Sequence, residues 1–499
     1  MTEKTIIRGG LVCDGTGSGP ALRDLLLEGE RIAAAGLPGS FDDAEGEVID
    51  CPGKVVAPGF IDAHSHGDVR KLKYPDDRSK LLQGITTEVN GNCGNSSSFV
   101  PGEEGGLKWR NFDEYLEILA KRPSSVNTVT LCGHNTLRRA VMGDRSDRAG
   151  ENELRAMRKL LEAAFAAGAA GWSSGLTYFP GKFSDTLELC FLAEATRGSE
   201  KLYATHMRSE GDKLLEAADE ALEIARAGSG KLQISHIKTL FPRNYHKLDA
   251  LLEKLEAARD SGMSLYADRY PYVHSSTRIG QTLPPPYDAD VEIAKKLRAS
   301  PEFREEITAA LGKSPRDLAT TIITASGKTL TEIAAETGCS VERACMTQLM
   351  EDPDRNAAYL CMSEANLRRL LALPWVCAGS DGVSMQLDDP ATIGHPRAVG
   401  AFPRFFRMVS ENCGTGEAVR RMTSLPAAIF RIPERGIVRP GFFADLVIFD
   451  AEKLDSHAGF GGEDLMPEGV DRVMVAGKTA WNSKAPERVG RFGRYIPVN

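Results

Sequence analysis

The hydrophobic pattern of this chain changes twice along its length. Residues 1–55 alternate short β-rich runs with turns: Thr5-Ile6-Ile7-Arg8 stops at Gly9-Gly10, and Leu25-Leu26-Leu27 stops at Glu28-Gly29-Glu30. Such runs bounded by Gly and Asp predict a small antiparallel sheet. From 56 onward, short apolar runs alternate with amphipathic segments. Strands are predicted at 55–63, 85–91, 126–132, 169–174, 202–206, 231–236, 263–268 and 375–380. Between them lie helical stripes: Leu154, Met157, Leu161, Ala164 and Phe165 in 152–167; Leu214, Ala218, Leu222 and Ala225 in 211–227; Leu248, Leu251, Leu252 and Leu255 in 246–260. Gly168, Gly228 and Gly262 stop the three in turn. Eight apolar runs separated by helices predict an α/β fold, a (β/α)8 TIM-like barrel. An open parallel sheet is the alternative, but reactive residues cluster at the strand ends, which favours closure.

The regular spacing breaks after the seventh strand, where Pro284-Pro285-Pro286 opens a charged, mostly helical stretch. The expectation is a lid-like subdomain over 285–355, inserted in a barrel spanning 56–429. After 430 the β pattern returns in Ile437-Val438, in Ala444 to Asp450 and in Val473-Met474-Val475. The two chain ends, 1–55 and 430–499, are expected to build one small β-sandwich domain together.

The chain has 499 residues, 42% hydrophobic and 26% charged, with a net charge of −8. That composition fits a globular protein with a large core. Basic runs are absent, which argues against a nucleic-acid partner. No run of about 18 apolar residues occurs, so no membrane partner is expected. The first residues lack the apolar stretch of a signal peptide, so a cytoplasmic location is expected. The ten cysteines are scattered and read as reduced, mostly buried residues rather than a disulfide framework.

The chemistry begins at Asp62-Ala63-His64-Ser65-His66, ending the first barrel strand. Alternate residues of a strand share a face, so His64 and His66 point together, either as two ligands of one metal or as two surface histidines. Four further candidate ligands end later strands: Cys93, His206, His236 and Asp381. Strand C-termini of a TIM barrel converge on one pocket, so residues distant in sequence meet there.

These motifs carry a resemblance. Pro58-Gly59-Phe60-Ile61-Asp62-Ala63-His64-Ser65-His66 is similar to the metal-site signature of the amidohydrolase superfamily, and Pro440 to Val447 to its β domain. Gly91-Asn92-Cys93-Gly94, His206-Met207-Arg208-Ser209-Glu210, Ser235-His236-Ile237-Lys238 and Gly379-Ser380-Asp381-Gly382 resemble the N-acyl-D-amino-acid deacylases (D-aminoacylases) along nearly the whole chain. The resemblance implies one tightly bound Zn²⁺ on Cys93, His206 and His236, with His64 and His66 belonging to a second, weaker or vacant site. A thiolate and two neutral imidazoles suit zinc and leave a fourth position open. The lysine that hydantoinase-like relatives carry at the end of the fourth strand is missing: that position reads Gly171-Trp172-Ser173-Ser174-Gly175.

The implied reaction is hydrolysis of the amide bond of an N-acyl-D-amino acid by a metal-activated water, with Asp381 as general base and then general acid. Lys238, Tyr270, Ser276 and Arg397 are the implied binders of the substrate, a small molecule bearing an α-carboxylate. The chain departs from the family pattern in a longer loop, Met385 to Pro390. It also lacks an arginine in the stretch Ile279-Gly280-Gln281-Thr282-Leu283, where members acting on acidic substrates carry one. That absence points to neutral or apolar amino-acid side chains. The competing readings are a D-dipeptidase or cyclic-amide hydrolase on the same metal, and a metal-free binding barrel. A deaminase is disfavoured because no His-x-x-Glu helper pair follows the later histidines.

Overall fold

The computed structural model describes residues 3–290, 292–387, 394–462 and 464–499. Positions 388–390 of the longer loop noted above lie outside the described residues. The central element is a parallel sheet of eight strands: β1 (Phe60–Asp62), β2 (Ile85–Asn90), β3 (Asn127–Gly133), β4 (Gly171–Gly175), β5 (Leu202–His206), β6 (Lys231–Ile234), β7 (Ser264–Arg269) and β8 (Val376–Ala378). Each pairs with its neighbour in chain order. The seam between β1 and β8 is joined just past the strand ends. Asp381 N donates to His64 O (2.8 Å), His66 N to Gly382 O (2.9 Å) and Ala63 N to Ala378 O (3.3 Å). The result is the TIM-like barrel the strand–helix alternation predicts.

The helical stripes face the barrel as expected. Helix Glu151–Ala166 buries Met157, Leu161 and Ala164, with Leu154 and Phe165 at the margin. Helices Leu214–Ala227 and Leu248–Asp260 bury every stripe residue named for them. Both begin two or three residues later than the periodicity indicates. Asp212 is instead held by Arg243 and Asn244, and 242–247 forms a 3₁₀ turn.

The predicted strand 55–63 is two strands in two sheets. Val55–Pro58 runs antiparallel to Leu446–Phe449 in an eight-stranded mixed sheet drawn from both chain ends, and β1 starts the barrel. The switch occurs at Gly59, where a Cβ would meet Thr86 Oγ1 at 2.2 Å. An unbroken apolar run conceals this change of partner, because both halves are fully buried.

Between β7 and β8 the chain forms helices Ile293–Ala299, Pro301–Leu311, Leu330–Thr337 and Val341–Glu351, as the charged helical pattern implies. It also forms a three-stranded antiparallel sheet that the sequence reading does not anticipate: His274–Arg278, Ile322–Ile323 and Asn356–Leu360. His-Ser-Ser-Thr-Arg is polar and only half-buried, so it carries no alternating signal.

Under the barrel mouth, Asp62 ties the seam together. One oxygen accepts from Ser380 N (2.8 Å) and His64 N (3.2 Å); the other accepts from Ser380 Oγ (2.5 Å) and Lys80 Nζ (2.7 Å). Lys80 is fully buried. Burial pulls its ammonium down, but Asp62, Glu88 and Asp77 more than restore it. Removing one member of a buried ion pair leaves the other charge uncompensated. Lys80→Met is therefore expected to cost about 3–5 kcal/mol, read as a clear fall in the denaturation midpoint. An unchanged midpoint would mean that the seam does not depend on this pair.

Candidate metal centre

The predicted ligands sit where backbone geometry is unusual. Cys93, His236 and Asp381 follow β2, β6 and β8, and each has positive φ (51°, 37° and 49°). For residues with a Cβ this conformation costs about 1 kcal/mol or more. It turns each side chain off its strand end and into the mouth. The Cys93 turn rests directly on β4: Gly94 N donates to Ser173 Oγ (3.0 Å), and Ser173 Oγ donates to Gly91 O (2.5 Å). Gly175 leaves room for it, since a Cβ there would lie 2.1 Å from Cys93 O.

Cys93 Sγ is the hub. It lies 3.4 Å from His64 Nε2, 3.5 Å from His236 Nε2 and 3.8 Å from His206 Nδ1. Donor atoms of His64, Cys93, His236 and Asp381 lie within 4.8 Å of one another, as do those of His206, Glu210 and His236. His66 belongs to neither group. Its Nε2 instead contacts Asp381 Oδ1 at 3.0 Å, and the same oxygen lies 3.5 Å from His64 Nε2.

Two buried carboxylates orient the imidazoles. Asp268, at the end of β7, lies 3.1 Å from His64 Nδ1 and accepts His236 N at 2.8 Å, so His64 presents Nε2 to the sulfur. Glu210 lies 3.0 Å from His236 Nδ1 and 3.5 Å from His206 Nε2. It therefore backs the two rings through opposite nitrogens. Sequence reasoning assigned no role to either acid. Asp268 closing an apolar strand run was the available signal, and Glu210 lay within a quoted motif.

Electrostatics separate Cys93 from the other buried cysteines. Burial pushes the Cys132 and Cys377 thiols up. Burial acts on Cys93 too, but His64 and His236, with hydrogen bonding from His206, outweigh it and hold the thiol well below its ordinary range. Asp381 is likewise held well below the usual carboxylate range: burial opposes ionisation, and Arg397, His236 and His64 overcome it. Among the described cysteines none forms a disulfide.

The mouth opens into a cavity of about 490 Å³ bordered by His66, Cys93, Phe179, Ser276, Asp381 and Arg397. Deeper, an inner chamber of about 80 Å³ is bordered by His206, His236, Lys238, Tyr270, Ser276 and Arg397 among others. All four predicted substrate binders thus line one chamber. Lys238 Nζ donates to Glu210 Oε1 (2.5 Å) and lies 2.7 Å from His236 Nδ1. Arg397 Nη1 is 2.9 Å from Asp381 Oδ2, out of line for a hydrogen bond, and the guanidinium lies 4.7 Å from the Tyr270 ring centre. Ser276 reaches the chamber from the inserted sheet, whose first strand is tied to the Arg397 loop by His395 Nε2 and His274 O, 3.2 Å apart. His134 heads helix His134–Met142, fully buried, with Nε2 2.7 Å from Glu188 Oε1. Among the described residues, no helix is long and apolar enough to cross a membrane.

Comparison with known proteins agrees with this architecture. The amidohydrolase family profile matches residues 47–270. The D-aminoacylase of Alcaligenes xylosoxydans xylosoxydans is 33% identical over 495 residues, covering 96% of this chain and 95% of that protein. The N-acyl-D-aspartate deacylase of the same organism is 34% identical over 97% of this chain and 93% of its own length. The crystal structure of the N-acyl-D-glutamate deacylase of Bordetella bronchiseptica, complexed with zinc and a phosphonate inhibitor, superposes with a TM-score of 0.83 at 31% identity, covering 100% of both chains. Near full-length identity of this order, on a shared barrel with a shared second sheet, means that the chain belongs to the D-aminoacylase family of amidohydrolases.

Proposed function

We propose that this protein is a zinc-dependent deacylase that hydrolyses the amide bond of N-acyl-D-amino acids. The observation that carries the reading is the ring of three imidazole nitrogens 3.4–3.8 Å from one buried thiolate at the barrel mouth. Zinc–sulfur and zinc–nitrogen bonds of about 2.3 and 2.0 Å in a tetrahedron put sulfur and nitrogen about 3.5 Å apart. The donor chemistry and the sulfur–nitrogen distances therefore fit zinc. Cys93, His206 and His236 would hold the tight ion. His64 and His66 would belong to a second, weaker site. When bound, zinc supplies a more acidic water and polarisation of the scissile carbonyl.

The chain's own residues supply the rest. Asp381 is ionised at neutral pH and lies between His64, His66 and Arg397. It takes a proton from the attacking water and returns it to the leaving nitrogen. Arg397, which has a nitrogen not committed to a hydrogen bond, grips the α-carboxylate together with Lys238, Tyr270 and Ser276. Glu210 keeps Lys238 in place and neutralises it until substrate arrives.

Three outcomes test this reading. Against a panel of N-acetyl-D- and N-acetyl-L-amino acids, the zinc-loaded protein should turn over at least one D-substrate and discriminate against its L-enantiomer; activity confined to L-substrates would refute the assignment. Asp381→Asn should lower kcat about 10²- to 10⁴-fold with unchanged far-UV circular dichroism, and undiminished turnover would remove Asp381 from the mechanism. Cys93→Ala should weaken zinc binding by about 100-fold or more, beyond what loss of a supporting residue costs. Elemental analysis after dialysis measures this, and a full zinc complement in the variant would count against the thiolate as a ligand.

A further inference from the structure

The inner chamber contains three side-chain cations other than histidine: Lys238, Arg316 and Arg397. Two of them face an acid of the protein. Lys238 is 2.5 Å from Glu210, and Arg397 is 2.9 Å from Asp381. Arg316 has no ion pair with any acid among the described residues. Its Nη1 is buried and without a hydrogen-bond partner. The guanidinium lies over the Tyr359 ring, 4.1 Å from its centre, and 6.0 Å from the centre of the Phe241 ring, so a face rests on an aromatic ring and the edge is available to a ligand. A planar, permanently charged fork held this way matches a carboxylate bidentately. Leaving the buried Nη1 unpaired is unfavourable, and an anion brought by the ligand relieves that cost.

We propose that Arg316 is a specificity-determining residue that receives the side-chain carboxylate of the amino-acid moiety, so that the preferred substrates are N-acyl derivatives of acidic D-amino acids. This rests on the reading of the reaction above. The donor cluster borders both cavities. With the α-carboxylate on Lys238, Tyr270 and Arg397, the α-substituent is a single bond from the same carbon and shares the inner chamber. The acyl group lies across the scissile bond, toward the 490 Å³ outer cavity. Arg316, the chamber cation without an acid among the described residues, is then left for the side-chain carboxylate. The sequence expectation of neutral or apolar side chains rested on the missing arginine in 279–283. Arg316 arrives instead from the loop between helix Pro301–Leu311 and strand Ile322–Ile323, within the insertion.

The test compares near-isosteric pairs with the zinc-loaded, full-length protein: N-acetyl-D-glutamate against N-acetyl-D-glutamine, and N-acetyl-D-aspartate against N-acetyl-D-asparagine. At least one acid-to-amide ratio of kcat/KM should exceed about 10. Arg316→Met should collapse that ratio toward one or below, chiefly through KM of the acid, and Arg316→Lys should restore part of it. Wild-type ratios near or below one, or a ratio that survives Arg316→Met, would overturn the assignment; the wild-type measurement decides even if a variant fails to fold. Turnover of neutral D-substrates without an acid preference would remove only the role of Arg316. Absence of turnover on every N-acyl-D-amino acid would remove the reaction as well.

Discussion

The architecture depends on how the first and last barrel strands meet. Both are three residues long, too short to hold a seam through ladder hydrogen bonds alone. The carboxylate of Asp62 takes over that task. It gathers two backbone N–H groups, a hydroxyl and a buried ammonium from opposite sides of the join. Closing there sets Asp381 N on His64 O and so brings the Asp381 carboxylate against His64 and His66. An open sheet would leave β1 and β8 at opposite edges and the donors of the two strands apart.

Around the hub sulfur the protein alternates charge in layers. Imidazoles surround Cys93; behind them stand Asp268 and Glu210; behind Glu210 stands Lys238. Each layer lowers the cost of burying the one inside it, which an isolated thiolate at this depth does not survive. The same layers fix which ring nitrogen faces inward, since an imidazole donating one N–H to a carboxylate presents its other nitrogen as a ligand. The left-handed backbone at Cys93, His236 and Asp381 is the strain that accompanies this convergence.

The segment between β7 and β8 contributes residues to the chamber. Ser276 and Arg316 come from it, and Tyr359, which covers one face of the Arg316 guanidinium, stands on its strand Asn356–Leu360. The barrel and the segment after it carry the donor cluster with Lys238, Tyr270 and Arg397, whereas the segment between β7 and β8 carries Ser276 and Arg316. This division is typical of barrels, in which variable segments at the C-terminal face tune a conserved mouth.

Much of this was determined by the sequence alone. Stripes at helical spacing and eight apolar runs specify the barrel, because burial of one face leaves a periodic trace. Once a barrel is specified, topology obliges residues ending different strands to share its mouth, so Cys93, His206, His236, His64 and Asp381 were legible as a group. Other features left no such trace. Whether 55–63 was one strand or two depended on which sheet each half paired with across the molecule. The polar strand His274–Arg278 has no alternation to read. The partners of each charge were decided only in three dimensions: Asp268 behind His64, Glu210 between Lys238 and two imidazoles, Arg316 with no acid among the described residues. Pairing of charges depends on distances of a few ångströms between residues up to hundreds of positions apart, and only the folded chain sets those distances.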